Sequence, residues 1–198
     1  MFKIALPPLA IPLLCASCSD AAIEPSKSLV GAKELPSARA LARETLFIHR
    51  GGGAYGGDAL SYEWRPDNML LVTHTFSDRR GAGELVRGKE TLRVAPAVAA
   101  EVRQLLWRVR PAKLEGVEQD ARPTGCERQG PHDFGEVTVG FVNEGDASGI
   151  EDDQVGIFEL PTADSCNTPA AVGARAVVRR ALQLLPKSKV AADFDRST

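Results

Sequence analysis

The sequence predicts an α+β fold, a largely antiparallel sheet of about five to six strands covered by two helices. Three observations carry this. Segments with a period of two follow one another through short turn sequences, the pattern of hairpins. Only two segments have helical spacing, and each begins at a proline and ends at another. Strands and helices do not alternate as a doubly wound α/β fold requires.

The strands come first. "TLFIHR" (45–50) is the earliest candidate. "LSYEWR" (60–65) alternates, with Leu60, Tyr62 and Trp64 on one face and Ser61, Glu63 and Arg65 on the other. "NMLLVTHTF" (68–76) is longer and rich in strand formers. Between these two, "RPDN" supplies Pro66 for the second position of a turn, then Asp67 and Asn68. "ETLRV" (90–94), "EVTVGFV" (136–142) and "QVGIFEL" (154–160) complete the set.

The first helix is predicted over 96–110, "PAVAAEVRQLLWRVR". Pro96 opens it, and Val98, Val102, Leu105, Leu106 and Val109 form its apolar stripe. Arg108 and Arg110 fall where the helix dipole favours cations, before Pro111 ends the helix. The second spans 168–186, with Thr168 as cap, Pro169 as first helical residue and Pro186 as the stop. Val178, Leu182 and Leu185 align on one side, and Arg175, Arg179 and Arg180 are assigned to solvent.

With 198 residues the chain is long enough for one well-filled core. Its net charge of −2 provides no long-range attraction for nucleic acid, so no nucleic-acid partner is expected. The start, "MFKIALPPLAIPLLCASCSD", has a basic Lys3, a short apolar run and the small residues Ala16 and Ser17. It reads as a signal peptide over 1–17. The run is too short to span a bilayer and is broken by Pro7, Pro8 and Pro12. Residues 18–41 read as a tether, 42–186 as a single domain and the polar 187–198 as a disordered tail.

"LLCASC" resembles the lipobox of bacterial lipoproteins, in which an aliphatic and two small residues precede a cysteine. The resemblance covers the first twenty residues only. It implies that Cys18 is lipidated and that the chain is anchored to a membrane facing the periplasm. Ser19 after the cysteine, rather than Asp, slightly favours the outer membrane. Cys15 stands where that family prefers Leu, so simple cleavage to a soluble periplasmic or secreted protein stays open. The layout of the remaining chain resembles uncharacterised secreted bacterial domains, which implies no activity.

Cys15 and Cys18 spell C-x-x-C inside the targeting segment and are not read as redox chemistry. Cys126 and Cys166 are then expected to form a disulfide in an oxidising compartment.

Gly51, Gly53 and Gly56 in "HRGGGAYGGDAL" satisfy G-x-G-x-x-G. The dinucleotide fingerprint requires a helix directly after the glycines, to hold the pyrophosphate. Here a period-two segment follows, so the stretch is read as a hairpin loop. No cofactor is expected. The loop, with Tyr55, remains a candidate for contact with a ligand or for movement as a flap. His132 and Asp133, beside the cysteine bridge, are a second candidate loop.

His49 and His74 lie on candidate strands and would approach each other only if those strands were neighbours. The acidic run Glu144–Asp153 lacks EF-hand spacing and reads as a solvated hairpin tip, so no metal is expected. There is no H-E-x-x-H and no G-x-S-x-G. The leading expectation is an envelope lipoprotein domain without enzymatic activity that binds a protein or glycan partner. The alternatives are a periplasmic hydrolase using His74 or His132, and an inhibitor of an envelope hydrolase.

Overall fold

The computed structural model describes residues 29–30, 42–53, 56–77, 83–114, 121–126, 137–143 and 155–197. The elements are β1 (Glu44–Gly53), β2 (Gly56–Trp64), β3 (Met69–Ser77), β4 (Glu84–Arg93), α1 (Pro96–Trp107), β5 (Val137–Asn143), β6 (Val155–Leu160), α2 (Pro169–Leu184) and α3 (Lys189–Ser197). The strands form one antiparallel sheet in the order β4-β3-β2-β1-β5-β6. The α+β reading therefore holds, with three helices rather than two among the described residues.

Register explains which residues turn inward. Ile48 pairs with Tyr62 on one side and Val139 on the other, and Tyr62 pairs in turn with Val72. Side chains on one row of a sheet share a face. Leu46, Trp64, Leu70, Phe141 and Phe158 belong to the same face, and all are buried in the core. The turn between β2 and β3 follows the sequence. Asn68 N–H donates to Arg65 O at 3.1 Å, and Asn68 takes the left-handed conformation at φ 64°. A type I turn followed by a left-handed residue is a common three-residue hairpin, and Asn tolerates that place.

α1 is shorter than its apolar stripe suggested. Arg108, Val109 and Arg110 donate to the carbonyls of Leu105, Leu106 and Trp107, a tighter last turn ahead of Pro111. Arg108 and Arg110 consequently leave the helix. Arg110 forms a bidentate pair with Glu44, with Nε at 3.1 and 3.0 Å from the two carboxylate oxygens. Arg103, inside α1, is also buried. It donates to Glu44 O at 2.5 Å and Arg65 O at 3.0 Å, tying the helix to two strand ends. In α2, Thr168 Oγ accepts from Ala171 N–H at 3.2 Å, the cap its sequence position implied.

Cys126 and Cys166 are joined by a disulfide, with Cα atoms 5.8 Å apart across a sequence separation of 40. The bridge holds residues 121–126 against the sheet. There Ala121 N–H donates to Ile157 O at 2.8 Å and Ala121 O accepts from Glu159 N–H at 2.9 Å, which covers part of the β6 edge.

Two boundaries differ from the sequence reading. Leu29 and Val30 fall within the expected tether, yet Leu29 N–H donates to Arg108 O at 2.9 Å and both side chains pack against the core. An apolar pair in a polar linker gains by docking. The polar tail is likewise not disordered. Residues 189–197 form α3, with Phe194 buried. Its N-terminus is capped twice. Ser188 Oγ accepts from Ala191 N–H at 3.1 Å, and the Glu90 carboxylate on β4 accepts from Ser188 Oγ–H at 2.7 Å and Lys189 N–H at 2.9 Å.

Candidate functional site

α3 lies across β2, β3 and β4 at the end of the sheet that carries Gly51, Asp58, His74 and Gly88. Two glycines allow its close approach. A Cβ on Gly88 would stand 3.3 Å from the Val190 methyls. A Cβ on Gly51 would stand 3.3 Å from the Phe194 ring and 2.6 Å from Asp58 O, and Gly51 has φ 73°. The pairing of β1 with β2 shifts register between Gly51 and Gly53, a bulge of the kind that needs a left-handed glycine. Gly53 pairs with Gly56, so the G-x-G-x-x-G stretch closes a hairpin instead of opening a helix. Tyr55, the aromatic residue of that candidate loop, lies outside the described residues, as do His132 and Asp133.

Under α3, His74 Nε2 is 2.7 Å from Asp58 Oδ1. Arg87 Nη1 reaches the same Asp58 oxygen at 2.8 Å, and its guanidinium lies over the Phe76 ring. The Phe194 ring meets His74 edge to face at 5.3 Å. His74 is 5% exposed. His49 does not join it. β2 separates their strands, and the row pairing Arg50 with Leu60 and His74 leaves His49 on the opposite face. Burial holds the His49 imidazole below its ordinary pKa.

A cleft of about 570 Å³ opens between α2 and α3. That volume is within the usual range for small-molecule sites. Its walls carry Arg50, Arg175, Arg179 and Tyr62, with one carboxylate, Asp195. Its floor includes Val137, Leu160 and Val178. Arg175 and Arg179 therefore face a cleft, not open solvent alone, whereas Arg180 pairs with Glu101 of α1 at 3.5 Å. Burial raises the Tyr62 phenol above its ordinary pKa, opposed by the Arg50 guanidinium beside it. Arg50 also pairs with Asp195 at 3.1 Å and lies over the Phe194 ring at 5.6 Å.

Sequence reasoning reached His74, Arg175 and Arg179 and missed their setting. Asp58, Arg87, Arg50 and Asp195 carry no motif, because their meeting depends on strand order and on α3. Phe194 had a signal. Val190 and Ala191 precede it by four and three residues, the spacing of one helical face.

No group of three or more His, Cys, Asp or Glu side chains is placed to hold a metal among the described residues. No described helix is long and apolar enough to cross a membrane.

The fold and the site together define an α+β domain whose terminal helix seals a His–Asp pair and walls a cationic cleft. No protein-family model matches the chain, and no curated protein is significantly similar to it.

Proposed function

We propose that this chain is a lipid-anchored envelope module that acts by binding a partner and not by turning over a substrate. Cys18 is its anchoring residue, and its surroundings are oxidising. The Cys126–Cys166 disulfide supports that compartment, since such bridges persist mainly outside the cytosol.

The enclosure of His74 carries the reading. A general base must reach the proton it removes, directly or through one water. Here the imidazole has Asp58 on one nitrogen, the Phe194 ring packed at right angles to it and little contact with solvent. Asp58 is shared with Arg87, so the trio closes on itself as a structural polar cluster. Burial of this kind suits a domain that presents a fixed surface.

The test is an activity screen over ester, amide, glycoside and phosphoester substrates, with the oxidised protein and a His74→Ala variant. No turnover above background is expected from either. Turnover by the wild type that disappears in the variant contradicts the proposal and restores the hydrolase alternative.

A further inference from the structure

We propose that the cleft between α2 and α3 binds an organic carboxylate with an apolar stem, and that Asp195 occupies its place on Arg50 when the ligand is absent. This rests on the reading that the domain binds its ligand rather than transforms it.

The three guanidinium groups of the cleft stand in different states. Arg175 is committed to the fold. It donates to Pro161 O at 3.3 Å, Cys166 O at 2.9 Å and Asn167 Oδ1 at 2.9 Å, and so fixes the loop at the disulfide. Arg50 holds a carboxylate already, that of Asp195. Arg179 lines the cleft and has no hydrogen-bond or ion-pair partner among the described residues. Three cations against one anion leave the walls positive in a chain whose net charge is −2.

Asp195 identifies the chemistry. A carboxylate fits Arg50 there, with the Phe194 ring beneath the guanidinium and the Tyr62 phenol beside it. The contact is also exchangeable. Its two side chains are 31% and 55% exposed, so solvent screens the pair, and it rests on a single short distance. An entering carboxylate that takes the place of Asp195 exchanges one weak ion pair for another and gains Arg179. Apolar residues give the ligand its second feature. Val137, Leu160, Val178 and Leu182 line the same cleft as the cations and offer a stem apolar side chains to pack on.

The test is titration calorimetry of the full oxidised chain with octanoate, octyl phosphate, octylamine and glucuronate. Octanoate is expected to bind, and more tightly than the other three. Arg179→Ala is expected to weaken octanoate by about tenfold, the equivalent of one charge-assisted contact. Asp195→Asn is expected to tighten it by about two- to fivefold, because an internal competitor is removed. Arg180→Ala, outside the cleft, is expected to leave affinity unchanged. Arg179 is exposed, so its replacement does not threaten the fold. Tighter binding of octyl phosphate or octylamine overturns the carboxylate class, and tighter binding of glucuronate overturns the apolar stem. Unchanged or weaker octanoate binding in Asp195→Asn overturns the role given to Asp195, and no octanoate binding overturns the site. Mass spectrometry of the recovered ligand separates the two readings. Chemical change contradicts binding without turnover, while the cleft is judged by affinity alone.

Discussion

Phe194, four residues from the end of the sequence, sets its ring at right angles to that of His74 at a centroid distance of 5.3 Å. The residue that closes the polar cluster of the sheet thus comes from the last helix. α3 makes one side of the cleft and keeps His74 from solvent, so it belongs to the domain and not to a tail.

Phe194→Ala removes the main apolar contact of α3. Deletion of a buried aromatic side chain costs about 3 kcal/mol or more. The helix has only nine residues and cannot persist alone in water. The expected result is release of α3, read as new protease cleavage after residue 186 and faster amide exchange around His74. Unaltered cleavage would show that the caps from Glu90 and Ser188 suffice.

Acid should loosen the same helix. Hydrogen bonds from Ser188 and from the backbone of Val190 and Lys189 hold the Glu90 carboxyl below its ordinary pKa. A carboxyl with a lowered folded-state pKa adds stability above its unfolded value, and that stability is lost as pH falls through the folded one. His49 adds an earlier loss. Its lowered pKa keeps it neutral in the fold while the unfolded chain takes up a proton, so stability declines from the ordinary histidine range down to the lowered value. Melting across the acid range should show both. Glu90→Gln should flatten only the more acidic limb, and His49→Gln only the milder one.

Glu44 and Arg110 tie the start of β1 to the segment after α1. Loss of one partner strands a buried charge at a cost of roughly 3–5 kcal/mol. Glu44→Leu and Arg110→Met are each expected to destabilise by about that amount, and the double variant by much less than their sum. Denaturant titrations of the four proteins give the coupling directly. Additive losses would mean that the pair contributes packing alone.

Reduction of Cys126–Cys166 frees a loop with a sequence separation of 40. The chain-entropy relation gives about 4 kcal/mol for a loop of that length. Denaturation with and without reductant should differ by about this much. The loop at Arg175 should loosen first, since Cys166 O is one of its acceptors.

Much of the fold was legible in the sequence. Period-two alternation located β2, richness in strand formers located β3, Pro66 and Asn68 marked their turn, and Thr168 with Pro169 marked the start of α2. What escaped was non-local. β4 runs from Glu84, six residues before the stretch that alternates visibly, because its first part includes a bulge and the exposed Leu85 and Val86. The glycine motif was separated from a nucleotide loop by its context alone. The bulge at Gly51 and the seat it gives Phe194 could not be read, since both depend on a helix more than 130 residues later. The cleft was hidden for the same reason. Arg50, Arg179 and Asp195 come together only when α2 and α3 settle on the sheet.

The proposal of an oxidised, lipid-anchored envelope module is tested most directly by the intact mass of the protein extracted from native membranes, before and after reduction, with mapping of its N-terminal peptide. The expected chain begins at Cys18, carries added acyl mass and gains two hydrogens when Cys126 and Cys166 are reduced. A chain that retains Met1 and has free thiols would contradict it, and would reopen Cys15 and Cys18 as candidates for redox or metal chemistry.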